Sequence, residues 1–286
     1  MAKIDAFFKL MHEQGASDLH LIAGQQPVLR IRGELERVKY QELDNDGLKQ
    51  MLYEITTERF EEEGDIDFAY EIPGMARYRA NYFQQLRGVG AVFREIPDVI
   101  MTAEQLGLPE VVKKFAMLPK GLVLVTGPTG SGKSTTLAAI VDYANQHRKN
   151  HIITVEDPIE FVHKSQGCVI NHRELGTHTR SFAAALRGAL REDPDIIMVG
   201  EMRDLETIQL AIEAAATGHL VLSTLHTTSA IKTVDRIIEV FPGQLQSQVR
   251  STLADGLRGV IAQTLFKRLD RPGRCVALEI MVATPA

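Results

Sequence analysis

The chain has 286 residues, of which 44% are hydrophobic and 24% charged, and its 32 basic and 37 acidic side chains give a formal net charge of −5. This length suffices for about two domains with a sizeable core, and the negative balance argues against a protein that coats nucleic acid with a basic face. The two cysteines form no Cys-x-x-Cys pair, which excludes a disulfide framework or a zinc site made from them alone and favours a reducing cytoplasm. No window reaches the roughly 20 apolar residues of a membrane helix.

Residues 1–97 predict a small α+β domain built on an antiparallel sheet. The first segment has its apolar residues on one helical face, a pattern more typical of a core helix than of a signal peptide or membrane anchor. Later, a two-residue alternation places Arg77 and Arg79 on one face of a strand, where composition alone favours a solvated surface. The predicted elements are a helix at 4–11, strands at 18–22, 28–32, 65–70, 77–83 and 91–94, and helices over 44–62.

After a predicted linker at 98–102, apolar strands alternate with helical patterns over residues 103–286. This order is typical of an α/β fold with a parallel sheet and helical crossovers. Asp204 is a suitable N-cap and Gly218 a suitable C-terminal residue for one of the helices. The predicted elements are strands at 122–126, 151–155, 195–199 and 219–224, and helices near 104–117, 134–148, 181–191, 204–217, 229–239 and 245–266.

Residues 127–134 read Gly-Pro-Thr-Gly-Ser-Gly-Lys-Ser and connect an apolar strand to a helical pattern. Glycines let the backbone curl with its N–H groups inward, and the helix N-terminus adds partial positive charge. Lys133 can then reach the β- and γ-phosphates of a nucleoside triphosphate, and the hydroxyl of Ser134 can bind Mg²⁺. A glycine-rich turn alone does not explain the Lys-Ser pair. The predicted nucleotide-binding residues are Thr129, Gly130, Ser131, Gly132, Lys133, Ser134 and Thr135.

Carboxylates follow two further strands, at the edge where parallel sheets bind ligands. Glu201 lies one residue beyond a buried strand and is the best candidate to activate the attacking water. Gly200 occupies the position where the hydrophobic-strand motif of such ATPases usually has Asp. Mg²⁺ is therefore expected to depend on Ser134, phosphates and water, with help from Asp157 or Glu160 as an open alternative. Glu156 belongs to the same acidic cluster as these last two.

Two histidines bracket the fourth predicted strand of the sheet. His226 is flanked by threonine hydroxyls, which favours a phosphate-sensing or relay role. His219 is as readily explained as a polar residue at the start of a strand. The two are seven positions apart and do not make a metal pair by themselves.

Four segments, 127–134, 156–160, 193–204 and 218–228, resemble in order and spacing the Walker A, Asp, Walker B and His boxes of the type II/IV secretion ATPases. Within that family the chain most resembles the type IV pilus retraction ATPases, through Ala16–Leu21, Met202 and residues 225–230. The similarity covers nearly the whole chain. The longer N-terminal region and four-cysteine zinc insert of the extension and type II secretion relatives have no counterpart in the sequence.

The resemblance implies a RecA-like phosphate-loop ATPase core with a PAS-like N-terminal domain, assembled as a homohexamer that uses ATP and Mg²⁺. It further implies a cytoplasmic motor, peripheral to the inner membrane at the pilus base, that acts through a membrane platform protein and binds no nucleic acid. Arginines of the N-terminal domain are expected to reach the phosphates, which reverses the solvated-surface interpretation. The implied site residues are Glu201 as catalytic base, Glu160 and His226 as required groups, His219 as part of the His box, and Arg79 and Arg94, with Arg77 as a weaker third.

Three alternatives remain open. One is an accessory retraction paralogue, or a pilus assembly or type II secretion ATPase, of the same family. A nucleic-acid translocase would show DNA-stimulated hydrolysis and a strongly basic pore, and a small-molecule phosphotransferase would need an acceptor pocket and a lid. In the family, a short C-terminal motif follows the stretch that matches residues 277–281, and the sequence ends at Ala286 before it; we expect the ATPase core to tolerate its loss and cellular retraction to need it.

Overall fold

The structure is a computed structural model that describes residues 3–56, 64–96, 99–270 and 273–284. The chain divides into two compact units, Met1–Asp98 and Val99–Ala286. The predicted linker at 98–102 and the predicted helices over 44–62 lie partly outside the described residues, so those boundaries remain predictions. Along the described residues, no helix combines the length and the apolarity needed to cross a bilayer.

Along its described residues, the N-terminal unit combines an antiparallel sheet with helices, as predicted. The face of the first helix that carries Phe8 packs into the core, where this ring stacks on Tyr78 with centroids 4.3 Å apart. The predicted alternation is confirmed, since Tyr78 is buried and Arg79 exposed. The elements are α1 (Asp5–Glu13), β1 (Asp18–Ile22), β2 (Val28–Ile31), β3 (Glu34–Arg37), α2 (Asn45–Leu52), β4 (Asp65–Ile72), β5 (Ala76–Gln85) and β6 (Gly88–Ile96). The strand order of the sheet is β3-β2-β1-β6-β5-β4.

The C-terminal unit is a mostly parallel sheet with helices on both faces, which confirms the predicted α/β core. Leu122 and Leu124 belong to one apolar cluster, and Val123 and Val125 to a second cluster on the opposite face. Burial on both faces explains why these strands read as continuous apolar runs. The elements are α3 (Glu110–Ala116), β7 (Gly121–Thr126), α4 (Lys133–His147), β8 (His151–Glu156), β9 (Val169–Glu174), α5 (Phe182–Ala189), β10 (Ile196–Val199), α6 (Leu205–Thr217), β11 (Leu220–Leu225), α7 (Ala230–Glu239), α8 (Gly243–Gly256), β12 (Leu257–Lys267) and β13 (Arg274–Val282).

The strand order of this sheet, β13-β12-β7-β11-β10-β8-β9, brings the motifs together. β7, β11, β10 and β8 are parallel neighbours in that order, so the loops after them leave the same edge of the sheet. The predicted caps of α6 are confirmed, because the Asp204 side chain accepts the N–H of Thr207 and Gly218 ends the helix with a φ of 136°. The carboxyl ends of the strands therefore present the phosphate loop, residues 157–160, Glu201 and His226 on one side.

The predicted helix at 245–266 is wrong in its second half. α8 ends at Gly256, and β12 then pairs parallel with β7, with Val260 opposite Leu124. A short apolar run does not distinguish a buried strand from a buried helix, and here pairing with β7 decides for the strand. The predicted helix at 104–117 is shorter and begins at Glu110. β9, β12 and β13 were not predicted.

Candidate active site

The phosphate loop is shaped by glycines at positions that other residues do not fit. Gly127 has a φ of 145°, and a Cβ there would lie 2.3 Å from the carbonyl oxygen of Gln263. Gly130 and Gly132 have φ values of 77° and 86°, and α4 begins directly after them at Lys133. The loop thus curls tightly onto a helix N-terminus, an arrangement that aims backbone N–H groups at an anion. These residues fit the triphosphate of a nucleotide.

Lys133 lies inside this loop, with 9% of its surface exposed. Its Nζ donates to the carbonyl oxygens of Gly127 and Pro128 at 3.0 and 3.1 Å. Burial lowers the pKa of Lys133, while the nearby carboxylates of Glu201 and Glu160 act in the opposite direction. Both carboxylates thus favour the charged form of this ammonium group.

An imidazole connects this lysine to Glu201. The Nζ of Lys133 lies 3.5 Å from Nδ1 of His226, and Nε2 of the same ring lies 2.9 Å from Oε1 of Glu201. Because lysine only donates, Nδ1 accepts and Nε2 carries the proton that His226 donates to Glu201. The three side chains form one hydrogen-bonded row from the phosphate loop to the candidate base.

Glu201 is held ionised by its surroundings. Burial raises the pKa of Glu201, but the hydrogen bond from Arg203 and the neighbouring His226 outweigh it, so the net pKa is lowered. Nη2 of Arg203 lies 2.8 Å from Oε2 of Glu201. A carboxylate that stays deprotonated can orient and activate a water molecule.

The acidic segment that begins at the last residue of β8 combines one buried and two exposed carboxylate side chains. Glu156 is buried, and its Oε2 accepts the backbone N–H of Glu160 at 3.1 Å. Asp157 and Glu160 are exposed. A Cβ on Gly200 would lie 3.6 Å from Cγ of Glu156, so the neighbouring strand end packs closely on this glutamate.

Ser134, in the first turn of α4, is half-buried beside the loop, where its hydroxyl is suited to hold Mg²⁺ next to bound phosphates. Thr135 follows it in the same turn, half-buried, whereas Thr129 is exposed at the tip of the loop. Within the described ranges, no group of three or more His, Cys, Asp or Glu side chains is arranged to hold a metal ion.

His219 lies apart from this row. It precedes β11, at the end of the sheet opposite the phosphate loop, and its Nδ1 donates to the carbonyl oxygen of Ala214 at 3.0 Å. The structure thus gives it a local role in closing α6, and its predicted place in the His box stays a prediction.

The predicted arginines lie on strands of the N-terminal unit. Arg79 and Arg94 are directly opposite each other on β5 and β6. Nε of Arg94 lies 2.8 Å from Asp18, and Nε of Arg79 lies 3.6 Å from Asp67. Arg77 lies 3.9 Å from a carboxylate of β4. Their role toward phosphates stays a prediction.

Sequence reasoning missed Gln263, which supports the phosphate loop from below. This side chain is 3% exposed, and its Nε2 donates to the carbonyl oxygen of Ser131 at 2.7 Å. By binding that carbonyl, Gln263 fixes the peptide plane inside the loop. The sequence signal for it was a polar residue directly after the apolar run 260–262, at the end of a strand. Because a helix was predicted at 245–266, that strand end was not recognised.

Comparison with known proteins gives consistent relatives. Residues 3–282 match the profile of the family described as type II/IV secretion system protein. The chain is 55% identical over 278 residues to the "Type IV pilus retractation ATPase PilT" of Pseudomonas aeruginosa, covering 96% of this chain and 80% of that protein. It is 39% identical over 287 residues to the "Type IV pilus ATPase PilU" of the same organism, covering 99% and 75%. A crystal structure of the pilus retraction motor PilT with bound ADP is similar with a TM-score of 0.94 and 45% identity, covering 100% of this chain and 84% of that one.

Proposed function

The chain belongs to the type II/IV secretion system protein family, and from this premise we propose that it is a motor ATPase that drives type IV pilus retraction. The observation that carries the hydrolytic part is the row from Lys133 through His226 to Glu201. It joins a phosphate-binding lysine to a carboxylate that remains ionised. Relatives named as a pilus retraction ATPase and a twitching motility protein, at 55% and 50% identity, support the retraction part.

Each residue of the row has a distinct task in the proposed hydrolysis. The loop N–H groups and Lys133 hold the phosphates and offset the charge that develops on the γ-phosphate. Glu201 orients the attacking water and accepts its proton. His226 hydrogen-bonds to both Lys133 and Glu201, so a shift of the lysine on phosphate binding would change the position of the base. When bound, Mg²⁺ neutralises phosphate charge, and Ser134 would hold it.

The mechanical part of the proposal is a homohexameric ring. Arg79 and Arg94, with Arg77 as a third, bring guanidinium groups from the N-terminal domain to the phosphates. An arginine that follows the departing γ-phosphate couples hydrolysis to movement of its domain. The ring works in the cytoplasm at the inner face of the inner membrane, where it acts on a platform protein of the pilus machinery.

An accessory retraction ATPase is the second candidate, supported by the 39% identity to PilU. Deletion of the gene distinguishes the two: a retraction motor leaves cells with extended pili that do not retract, whereas loss of an accessory motor leaves retraction under low load. Complementation should succeed with the wild-type gene and fail with a Glu201→Gln allele. Normal retraction in the deletion strain would refute the proposal. Hydrolysis by the purified ring without DNA or a phosphate acceptor separates it from a translocase and from a phosphotransferase.

A further inference from the structure

The segment that carries Glu160 has no regular structure. Residues 157–168 lie between the end of β8 and the start of β9, outside every helix and strand of this unit. Backbone N–H groups in such a segment have no ladder partners and must find acceptors elsewhere. The acceptors of these N–H groups therefore determine how rigidly the backbone at Glu160 is held.

Side chains of β8 and β9 bind the backbone of three residues of this segment, one each. Glu174 Oε2 accepts from Ile159 at 2.9 Å, and Glu156 Oε2 accepts from Glu160 at 3.1 Å. Nε2 of His172 lies between the N–H and the carbonyl oxygen of His163, at 3.1 and 3.2 Å, so it binds that residue's backbone in either tautomer.

The three acceptors share one face of the sheet. Glu156 is directly opposite Glu174 in the parallel register, and His172 lies two residues earlier on the same strand, so their side chains point the same way. Glu156 and Glu174 are each about as buried as core residues, with 5% and 4% of their surface exposed. Oε1 of Glu174 also accepts from the hydroxyl of Thr177 at 3.3 Å, which fixes the carboxylate. We call Glu156, His172 and Glu174 the acceptor layer.

The far end of the segment is held separately by α4. Asn145 donates to the carbonyl oxygen of Lys164 at 2.9 Å and accepts the N–H of Gln166 at 3.1 Å. The segment is thus tied at both ends, while the side chain of Glu160 itself is exposed. The acceptor layer fixes the backbone on both sides of a carboxylate that remains available to a ligand.

Glu160 needs this support because β8, the strand that precedes it, is distant from the phosphate loop. β8 is three strands away from β7 in the sheet, which corresponds to roughly 14 Å. Residues 157–160 leave β8 at the same edge of the sheet where β7 leads into the phosphate loop, so the irregular segment has to carry Glu160 along that edge for it to reach the phosphates. A small change in the path of this segment would move the carboxylate relative to the phosphates.

We propose that Glu174 and His172 are positioning residues that set the path of the 157–163 backbone and thereby place Glu160 at the phosphates. The inference rests on the proposed function, in which Glu160 is required for hydrolysis. Glu174 and His172 act through the backbone of Ile159 and His163.

The test measures ATP turnover of the assembled ring. Glu174→Ala should lower kcat by about tenfold to a hundredfold, the range for a misplaced catalytic group, while KM for ATP changes by less than about twofold. Glu174→Gln should keep kcat within about threefold of wild type, because its amide oxygen still accepts the N–H of Ile159. Asp44→Ala is the matched control: this carboxylate also accepts a backbone N–H, of Gly47 at 2.8 Å, but caps α2 in the N-terminal unit, so its loss should lower Tm and leave kcat unchanged.

A double-mutant cycle with Glu160→Gln decides whether Glu174 acts through Glu160. In that background Glu174→Ala should lower kcat by less than about twofold, because the group that it places is already absent. Losses that multiply would refute the inference and leave the role of Glu160 intact. Wild-type kcat in Glu160→Gln alone would refute that role and the inference with it. Should Glu174→Ala fail to fold or to form rings, His172→Phe and His172→Gln replace it in the same cycle, and only the phenylalanine variant should lose turnover.

Discussion

Replacing Glu201 with glutamine is the sharpest test of the proposed division of roles at the site. The substitution keeps the size of the side chain and removes its negative charge and its basicity. A positioned general base contributes about 10²- to 10⁴-fold to a rate, which corresponds to roughly 3–5 kcal/mol of transition-state stabilisation. We therefore expect kcat for ATP to fall by at least about a hundredfold.

Binding and folding should change much less. In the proposed site the phosphates are held by the loop and by Lys133. Removal of a nearby carboxylate does not weaken the attraction of an anion, so ATP affinity should be unchanged or slightly higher. The partners of Glu201 are largely in solvent, with side-chain exposures of 70% for Arg203 and 44% for His226. Ion pairs of this kind contribute about 0–1 kcal/mol, so Tm should shift by no more than about 4 °C.

Turnover is measured by phosphate release from the purified ring, and affinity by titration with a fluorescent ATP analogue. Glu206→Gln is the matched control, because Glu206 is also a glutamate near Arg203 in sequence but lies on the exposed first turn of α6, paired with Arg187. It should retain wild-type kcat. A Glu201→Gln protein that binds ATP as poorly as a Lys133 variant, or that keeps kcat within about threefold of wild type, would refute the assignment.

Three further outcomes follow from the same geometry. Lys133→Ala should abolish measurable ATP binding, because it removes the ammonium group proposed to bind the phosphates. The protein should stay folded, since burial already disfavours the charged form of this lysine. ATP binding within about tenfold of wild type would contradict the prediction. Arg79→Ala should reduce kcat by about 10³-fold or more, as loss of an arginine at a phosphoryl group does, with modest loss of affinity, and unchanged turnover would return it to a solvated-surface role. Gln263→Ala should raise KM for ATP more than it lowers kcat, because it frees the carbonyl of Ser131 in the binding loop, and an unchanged KM would make Gln263 a packing residue.

The local motifs of the site could be predicted from the sequence because their residues are contiguous. The phosphate loop needs only a strand, glycines and a helix start, all within residues 121–135. Glu201 could be placed because it directly follows a buried strand, and the structure ends that strand at Val199. Periodicity and strand ends thus sufficed for four of the seven strands described in the C-terminal sheet and for naming Lys133, His226 and Glu201 as candidates, but not for β9, β12 and β13.

The supporting residues could not be predicted because they depend on sheet register between distant segments. Gln263 meets Ser131 across 132 positions of sequence, and only the pairing of β12 with β7 brings them together. His172 and Glu174 lie on β9, whose alternating polar residues gave no strand prediction. Their task is visible only once β9 is paired with β8 and the segment between them is folded over both.

The two predicted arginines place like charges side by side on the sheet of the N-terminal unit. Like charges directly opposite each other destabilise an antiparallel sheet, and Arg79 and Arg94 are such a pair. Arg94 is compensated by Asp18, a carboxylate that is 5% exposed and 2.8 Å away. Arg79 has the weaker partner, Asp67, at 3.6 Å and 52% exposed. Asp18 also lies 3.7 Å from Arg30, however, and the side chain of Arg94 is more exposed than that of Arg79, 68% against 44%. Both guanidinium groups are therefore accessible to an anion, and the proposed phosphate role should be tested at Arg94 as well as at Arg79.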